Sequence, residues 1–286
     1  MPFTLSHAAA VLPAVRSDGD GRGRLVPAVL VAGSFAPDMP YFAASVVSGG
    51  MEFGDVTHSF PGVLTVDVLI AWALTGLWLL VREPALALLP RSWQPRPAAL
   101  LRCGAPSARV RPSSLARWYA SAALGALTHV VWDGFTHHDR FGTRLFPVLA
   151  HTIAGSPVYS YLQYASSVAG ALVIAVWLAR SLRRVPPNTA ATLAVPPFST
   201  RDRWWATVLL AGCAAAGAVE RAARWWAYWG ATAKPWELIP SLCFGAGAGL
   251  APGLLVYVLA VRLRRPTPPA AQPERVSTEP GRPAGR

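Results

Sequence analysis

The chain has 286 residues, a formal net charge of +12 and a mean hydropathy of +0.35, with 53% hydrophobic and only 14% charged residues. This composition excludes an ordinary soluble domain and is typical of a polytopic membrane protein. The positive charge does not indicate nucleic-acid binding. Its arginines lie in separate blocks between apolar segments and form no single basic patch with interleaved aromatic residues.

The apolar segments predict an all-α helical bundle that crosses the bilayer about five or six times. A helix needs about 20 apolar residues to cross the roughly 30 Å hydrocarbon core. The segment 25–47 is the weakest, because Pro37, Asp38 and Pro40 interrupt it, and a re-entrant or amphipathic helix is the alternative there. In chain order, the predicted segments are 25–47, 62–81, 118–132, 158–179, 204–219 and 238–261.

The arginine blocks predict the orientation in the membrane. Seven arginines fall within 82–117, five within 180–203 and six within 262–286. Arginine-rich loops face the cytoplasm in membrane proteins. We therefore expect a multi-pass protein of the bacterial inner membrane with a cytoplasmic C-terminus.

Composition also divides the chain into four parts. Residues 1–183 hold every candidate site residue, and 184–203 is a linker rich in proline, threonine and alanine. Residues 204–265 form a helix pair, in which glycines at 245, 249 and 253 predict close approach of a neighbouring helix. Residues 266–286 are rich in proline and charge, which predicts a disordered tail.

Ionisable residues appear abruptly within the apolar segment 125–147. His129, Asp133 and His137 are spaced four apart, so a continuous helix would place them on one face. Such groups are costly in lipid unless they are paired or bound, which favours a functional site. The structural alternative is a hydrogen-bonded pair, His129 with Asp133, that fixes helix packing.

Three further residues in the N-terminal half have site chemistry: His7, Asp38 and His58. Each has a structural alternative. His7 could be a solvated residue near the terminus, Asp38 a turn residue, and His58 an interfacial residue beside an N-capping serine. Neutral imidazoles and carboxylates are nevertheless the ligands that Zn²⁺ or Mn²⁺ prefers.

Other polar residues are assigned less directly. Of His137, His138 and His151, we expect no more than one to be a metal ligand. Asp67 lies inside an apolar segment, where it is either an acceptor for a ligand residue or a packing residue.

Five motifs occur in order within residues 1–183: PFTLSHAA, GSFAPDMPYF, THSFPG, GALTHVVWDGFTH and SYLQYASSVAG. In these motifs the chain resembles the bacterial membrane family called domain of unknown function 4184. It resembles more distantly the inner-membrane metal-dependent hydrolases of the YdjM type, which are related to zinc-dependent phospholipases C. The resemblance implies a set of metal ligands at His7, Asp38, His58, His129 and Asp133. The chain departs from those hydrolases after Asp38, where Met39, Pro40 and Tyr41 replace a second acidic residue and a histidine.

Together these features predict a membrane-embedded, metal-dependent hydrolase of phosphoester or lipid-linked substrates, with zinc as the expected metal. A bound metal polarises a phosphoester and activates water, and Asp38 or Asp133 is the candidate catalytic general base. The expected partners are the lipid bilayer and such a substrate. The alternative is a non-catalytic multi-spanning protein in which the same residues form a packing network or a permeation path.

Overall fold

Most of the described residues fold into helices. The structure is a computed structural model, and it describes residues 3–104, 112–232 and 234–264. Two short strands, β1 (Thr152–Ile153) and β2 (Ser156–Pro157), pair antiparallel in a small hairpin. The α-helices of the described residues are α1 (Ala8–Val11), α2 (Pro27–Phe35), α3 (Met39–Ala43), α4 (Gly50–Thr57), α5 (Phe60–Leu64), α6 (Val66–Ala87), α7 (Pro95–Leu100), α8 (Pro112–Thr136), α9 (Phe141–Leu145), α10 (Val158–Arg184), α11 (Thr189–Leu193), α12 (Thr200–Trp229) and α13 (Leu238–Arg264).

The helical fold agrees with the prediction, whereas the predicted number of membrane spans is supported only in part. Among the described residues, α10, α12 and α13 are long and apolar enough to cross a membrane. The predicted segments 62–81 and 118–132 do form long helices, α6 and α8, but they are not among these three. Both carry buried ionisable residues, Asp67 in α6 and His129 and Asp133 in α8. The expected count of five or six spans is therefore not confirmed.

The interrupted segment 25–47 breaks where its prolines and aspartate predicted. Helix α2 has nine residues and is thus about 13 Å long, too short to cross a 30 Å core. A 3₁₀ turn follows at Ala36–Asp38, and α3 begins at Met39. This break places Asp38 inside the helical bundle, at the end of α2.

Helix α2 lies against α6 and α8, and glycines set its distance from α8. A side chain at Gly33 would overlap the backbone of Ala122, and one at Gly125 would overlap the carbonyl oxygen of Leu30. The shared core is formed by Val29, Ala32, Ala36, Val68, Ala71 and Ala122. Because the two backbones meet closely, the polar ends of α2 and α8 also lie side by side.

The last two helices form an antiparallel pair that is joined to the N-terminal bundle at both ends. At one end, the Tyr257 hydroxyl donates to the Pro84 carbonyl at 2.8 Å. At the other end, Arg221 donates to the Tyr41 carbonyl at 2.6 Å.

The predicted linker, 184–203, contains the short helix α11, which Asn188 caps by accepting from the Ala191 amide. The predicted disordered tail, 266–286, lies outside the described residues.

Candidate metal centre

Four of the predicted ligand residues meet inside the N-terminal bundle. Asp38 ends the 3₁₀ turn after α2, and His58 follows the last residue of α4. His129 and Asp133 lie one turn apart on α8. One ligand atom from each of these four residues lies within 4.8 Å of all the others. We call these four residues the His/Asp cluster.

Four distances between histidine and aspartate atoms of the His/Asp cluster match those of ligands around one cation. His129 Nε2 lies 3.4 Å from both Asp38 Oδ1 and Asp133 Oδ2. His58 Nε2 lies 3.6 Å and 3.5 Å from the same two atoms. Ordinary hydrogen bonds between nitrogen and oxygen are shorter, about 2.7–3.2 Å. Zinc bonds of about 2.0–2.2 Å imply tetrahedral edges of roughly 3.3–3.6 Å.

Backbone carbonyls orient both imidazoles of the cluster. Nδ1 of His129 lies 2.8 Å from the Ser34 carbonyl, and Nδ1 of His58 lies 2.8 Å from the Gly54 carbonyl. A carbonyl only accepts, so each Nδ1 carries the proton and donates it. Each Nε2 is then an unprotonated lone pair that faces the two carboxylates. Metal-bound histidines are commonly oriented in this way.

One hydroxyl group binds Asp38 directly, and a second binds the carbonyl of the residue before it. The Thr4 hydroxyl donates to Asp38 Oδ2 at 2.5 Å, which leaves Oδ1 facing the cluster. The Thr57 hydroxyl donates to the Pro37 carbonyl at 2.7 Å and so ties the end of α4 to the Asp38 turn. Asp38 and His58 are therefore positioned relative to each other through the backbone.

His7 lies beside the cluster rather than within it. Its ring stacks on that of His129, with 3.7 Å between ring centroids, and its Nε2 lies 3.4 Å from Asp133 Oδ1. Burial lowers the pKa of His7, and the neighbouring His129 lowers it further. His7 is thus the neutral imidazole that a metal ligand must be, and it faces the Asp133 oxygen that the cluster does not use.

Burial leaves several polar atoms of the site without partners. Neither ring nitrogen of His7 makes a hydrogen bond within the described part of the chain, and the same is true of Asp38 Oδ1, His129 Nε2 and Asp133 Oδ1. An unpaired buried polar group is costly. Because these atoms converge, a bound cation fits the site better than an empty space would, and the donor set of imidazoles and carboxylates suits a divalent metal.

The pKa of His58 reflects the same environment. Burial has the largest single effect and lowers it, but the nearby carboxylates of Asp133 and Asp38 together raise the pKa above its usual value. The two anionic carboxylates therefore attract positive charge at this point, and a metal cation would replace the proton.

A family comparison covers nearly the whole chain. The model of a domain of unknown function, DUF4184, matches residues 1–259. The chain belongs to this family. No curated protein and no solved structure matches it. The DUF4184 match extends beyond the predicted 1–183 and includes α12 and most of α13, so the helix pair is part of what the family has in common.

The remaining titratable residues of this DUF4184 member divide into near and distant groups. His137 Nδ1 lies 3.6 Å from Asp133 Oδ2, and burial lowers the pKa of this histidine to about 4. His138 and His151 are exposed and lie outside the His/Asp cluster. Asp67 is fully buried, but neither carboxylate oxygen has a hydrogen-bond partner among the described residues, so no cluster histidine donates to it.

Sequence reasoning assigned no role to several groups that shape the site. These are the Thr4 hydroxyl, the Ser34 and Gly54 carbonyls, and the Tyr41 ring, which lies 5.4 Å from the His58 ring. Thr4 lies in the same motif as His7, and this proximity was the one available signal. The carbonyl groups have no sequence signature, since every residue carries one.

Proposed function

We propose that this DUF4184 member is a membrane-embedded, metal-dependent hydrolase of phosphoester or lipid-linked substrates, with zinc as its metal. The observation that supports it is the set of ligand distances of 3.4–3.6 Å among Asp38, His58, His129 and Asp133. These residues would hold the metal. When bound there, it would supply Lewis-acid polarisation of the scissile group and a more acidic water.

The two carboxylates differ in their suitability as general base. Asp38 Oδ2 already accepts from Thr4. Asp133 Oδ1 has no hydrogen-bond partner among the described residues and lies 3.4 Å from His7 Nε2. Asp133 is thus the better placed of the two to take a proton, and neutral His7 is placed to orient that carboxylate. Asp38 would act mainly as a ligand.

Elemental analysis of the full chain, purified in detergent, tests metal binding. We expect stoichiometric metal in the wild type and loss of most of it in His129→Ala, because removing one of four ligands opens the site. The matched control is His151→Ala, which removes an exposed histidine outside the cluster and should leave metal content unchanged. Equal metal in wild type and His129→Ala would contradict the proposal.

Hydrolysis tests the catalytic part separately. Bis(p-nitrophenyl) phosphate and a short-chain phosphatidylcholine serve as probes for a phosphodiester and a lipid-linked ester. We expect turnover that a chelator removes, that added zinc restores, and that Asp133→Asn lowers by about 10²-fold or more, the usual contribution of a general base.

A second function is favoured by the burial of the site. His129 and Asp38 are fully buried, and Asp133 is 3% exposed. Four protein ligands are also the number typical of structural zinc sites. In that case the cluster would stabilise the bundle of a non-catalytic membrane protein. Stoichiometric metal without turnover of either probe, together with loss of thermal stability on chelation, would favour this alternative.

A further inference from the structure

A basic cavity lies at the opposite end of the N-terminal bundle from the His/Asp cluster. It has a volume of about 550 Å³ and is lined by residues from the loop before α2, the first turn of α2, α6, the turn after α7 and the start of α8. Trp118 lines it, and Asp133 lies 15 residues further along α8, which corresponds to about 22 Å along the helix axis. The cavity is therefore separate from the candidate metal centre.

Arginines dominate the charge of this cavity. Among the described residues, its lining includes Arg16, Arg82, Arg102 and Arg117 and a single acidic residue, Asp20. Arg16 forms an ion pair with Asp18, Arg82 with Glu83, and Arg102 with Asp20. Arg117 differs, because its Nε donates to the Arg24 carbonyl at 2.7 Å and no carboxylate of the described residues pairs with it.

Two helix N-termini add positive potential at the same place. Helix α2 begins at Pro27, which lines the cavity, and no side chain caps its first turn. Helix α8 begins at Pro112, and Ser114 of its first turn also lines the cavity. Helix N-termini carry partial positive charge and free amides that bind anions. The arginines and the helix ends therefore both favour an anionic group.

The level of the cavity relative to the candidate membrane helices indicates the source of that anion. Arg262, at the end of α13, donates to the Leu80 carbonyl at 2.9 Å, one turn or less from the cavity residues Leu79 and Arg82 of α6. Arg203, at the start of α12, donates to the Ala87 carbonyl at 3.2 Å. Arginines that flank membrane helices lie at the level of the lipid headgroups. The cavity lies at this level, and its other walls include apolar Leu25, Val26 and Trp118.

We propose that this cavity binds the phosphodiester headgroup of an anionic membrane lipid, with Arg117 as its principal cation. Arg16, at the edge of the cavity, supplies a second guanidinium, because its ion pair with Asp18 is exposed to solvent and therefore weak. Trp118 packs against the apolar part of the lipid. This site is independent of the metal centre and of any hydrolytic activity.

Native mass spectrometry of the full chain in detergent tests the proposal, with dioctanoyl phosphatidylglycerol as the anionic probe and dioctanoyl phosphatidylcholine as the neutral one. We expect the wild type to retain phosphatidylglycerol preferentially. Arg117→Gln should weaken this binding about fivefold, the usual contribution of one arginine near anionic lipid. The matched control is Arg183→Gln, which removes an exposed arginine at the end of α10, away from the cavity.

Further arms keep the test decisive. Arg16→Gln alters an arginine whose side chain is 57% exposed, so it reports on the cavity even if Arg117→Gln fails to fold. Equal phosphatidylglycerol binding in the wild type and both cavity variants would overturn the proposal. Displacement of the lipid by an equal concentration of inorganic phosphate would also overturn it, since the cavity would then be a site for free phosphate.

Discussion

Asp38 has two oxygens with different environments, and a single hydroxyl creates the difference. Oδ2 accepts from Thr4 at 2.5 Å, while Oδ1 lies 3.4 Å from His129 Nε2. Thr4 itself is buried in the first 3₁₀ turn, three residues before His7. The N-terminal turn therefore supplies a hydroxyl to Asp38, from Thr4, and an imidazole to Asp133, from His7. Neither Thr4 nor His7 belongs to the His/Asp cluster.

Replacing Thr4 by valine should weaken metal binding without changing a ligand. Loss of the hydroxyl leaves a buried carboxylate oxygen without its donor, which costs about 1–3 kcal/mol of stability. Loss of a group that orients a ligand commonly lowers metal affinity by roughly 10–100-fold. Competition titration with a chromogenic chelator measures the affinity, and chemical denaturation measures the stability.

Two variants serve as controls for Thr4→Val. Thr4→Ser keeps a hydroxyl and should bind metal nearly as tightly as the wild type. Thr65→Val removes an exposed hydroxyl that donates to the Pro61 carbonyl and not to Asp38. This variant should have no effect on metal affinity. Unchanged affinity in Thr4→Val would show that Asp38 does not need this donor.

At the scale of elements, the pair α12–α13 is joined to the segment that follows Asp38. Arg221 of α12 donates to the Tyr41 carbonyl and to the Ser45 hydroxyl, each at 2.6 Å. Its guanidinium lies 5.3 Å from the centre of the Phe244 ring of α13. The Tyr41 ring in turn lies 5.4 Å from the His58 ring. A continuous set of contacts therefore leads from the helix pair to a predicted metal ligand.

Arg221→Met should loosen this connection while keeping the apolar stem of the side chain. We expect lower thermal stability, because the Tyr41 carbonyl and the Ser45 hydroxyl lose their donor, at a cost of about 1–3 kcal/mol. The absorption spectrum of the cobalt-loaded protein should also change, since His58 would be less well oriented. Arg183→Met removes an exposed arginine of α10 and is the control. A destabilised variant with an unchanged cobalt spectrum would limit Arg221 to a packing role.

The close packing of the helix pair follows from glycines that the sequence pattern identified. A side chain at Gly245 would overlap the carbonyl oxygen of Gly217, and one at Gly249 would overlap that of Cys213. A side chain at Gly212 would meet no atom within 4 Å. The spacing of four residues thus predicted the contact face of α13, although it did not identify α12 residues as the partners.

For the whole molecule, sequence reasoning succeeded where the physical signal is local. Helix α10 begins at Val158, the residue where its apolar segment was predicted to begin, and α2 breaks at the predicted prolines. The prediction that Asp38, His58, His129 and Asp133 form one site depended on the motif resemblance. Contacts between segments that are distant in the chain leave no periodic pattern in the sequence. The predicted number of membrane spans is not confirmed. Helices α6 and α8, which carry buried ionisable residues, are not among the described helices that are long and apolar enough to cross a membrane.

Both the spacing of charges and the packing favour one orientation of the three candidate membrane helices. Helix α10 ends with Arg183 and Arg184, and α13 ends with Arg262 and Arg264. Arg201 and Arg203 lie in the first turn of α12. At the opposite end, Lys234 between α12 and α13 donates to the Gly155 carbonyl of the hairpin at 2.6 Å. The C-terminal ends of α10 and α13 and the N-terminal end of α12 therefore place arginines on the same side of the molecule, although α12 also carries Arg221 and Arg224 toward its other end.

Reporter fusions should place the arginine-rich ends in the cytoplasm, since positively charged flanks are retained there. Alkaline phosphatase fused after residue 286 should be inactive, and the same enzyme inserted at Gly155 should be active. Green fluorescent protein at the two positions should give the reverse pattern, which controls for differences in expression. Phosphatase activity at the C-terminus would contradict the predicted orientation and would place the arginine-lined cavity on the outer side. Phosphatase activity at Gly155 alone is the expected result, and it would place the His/Asp cluster toward the non-cytoplasmic side.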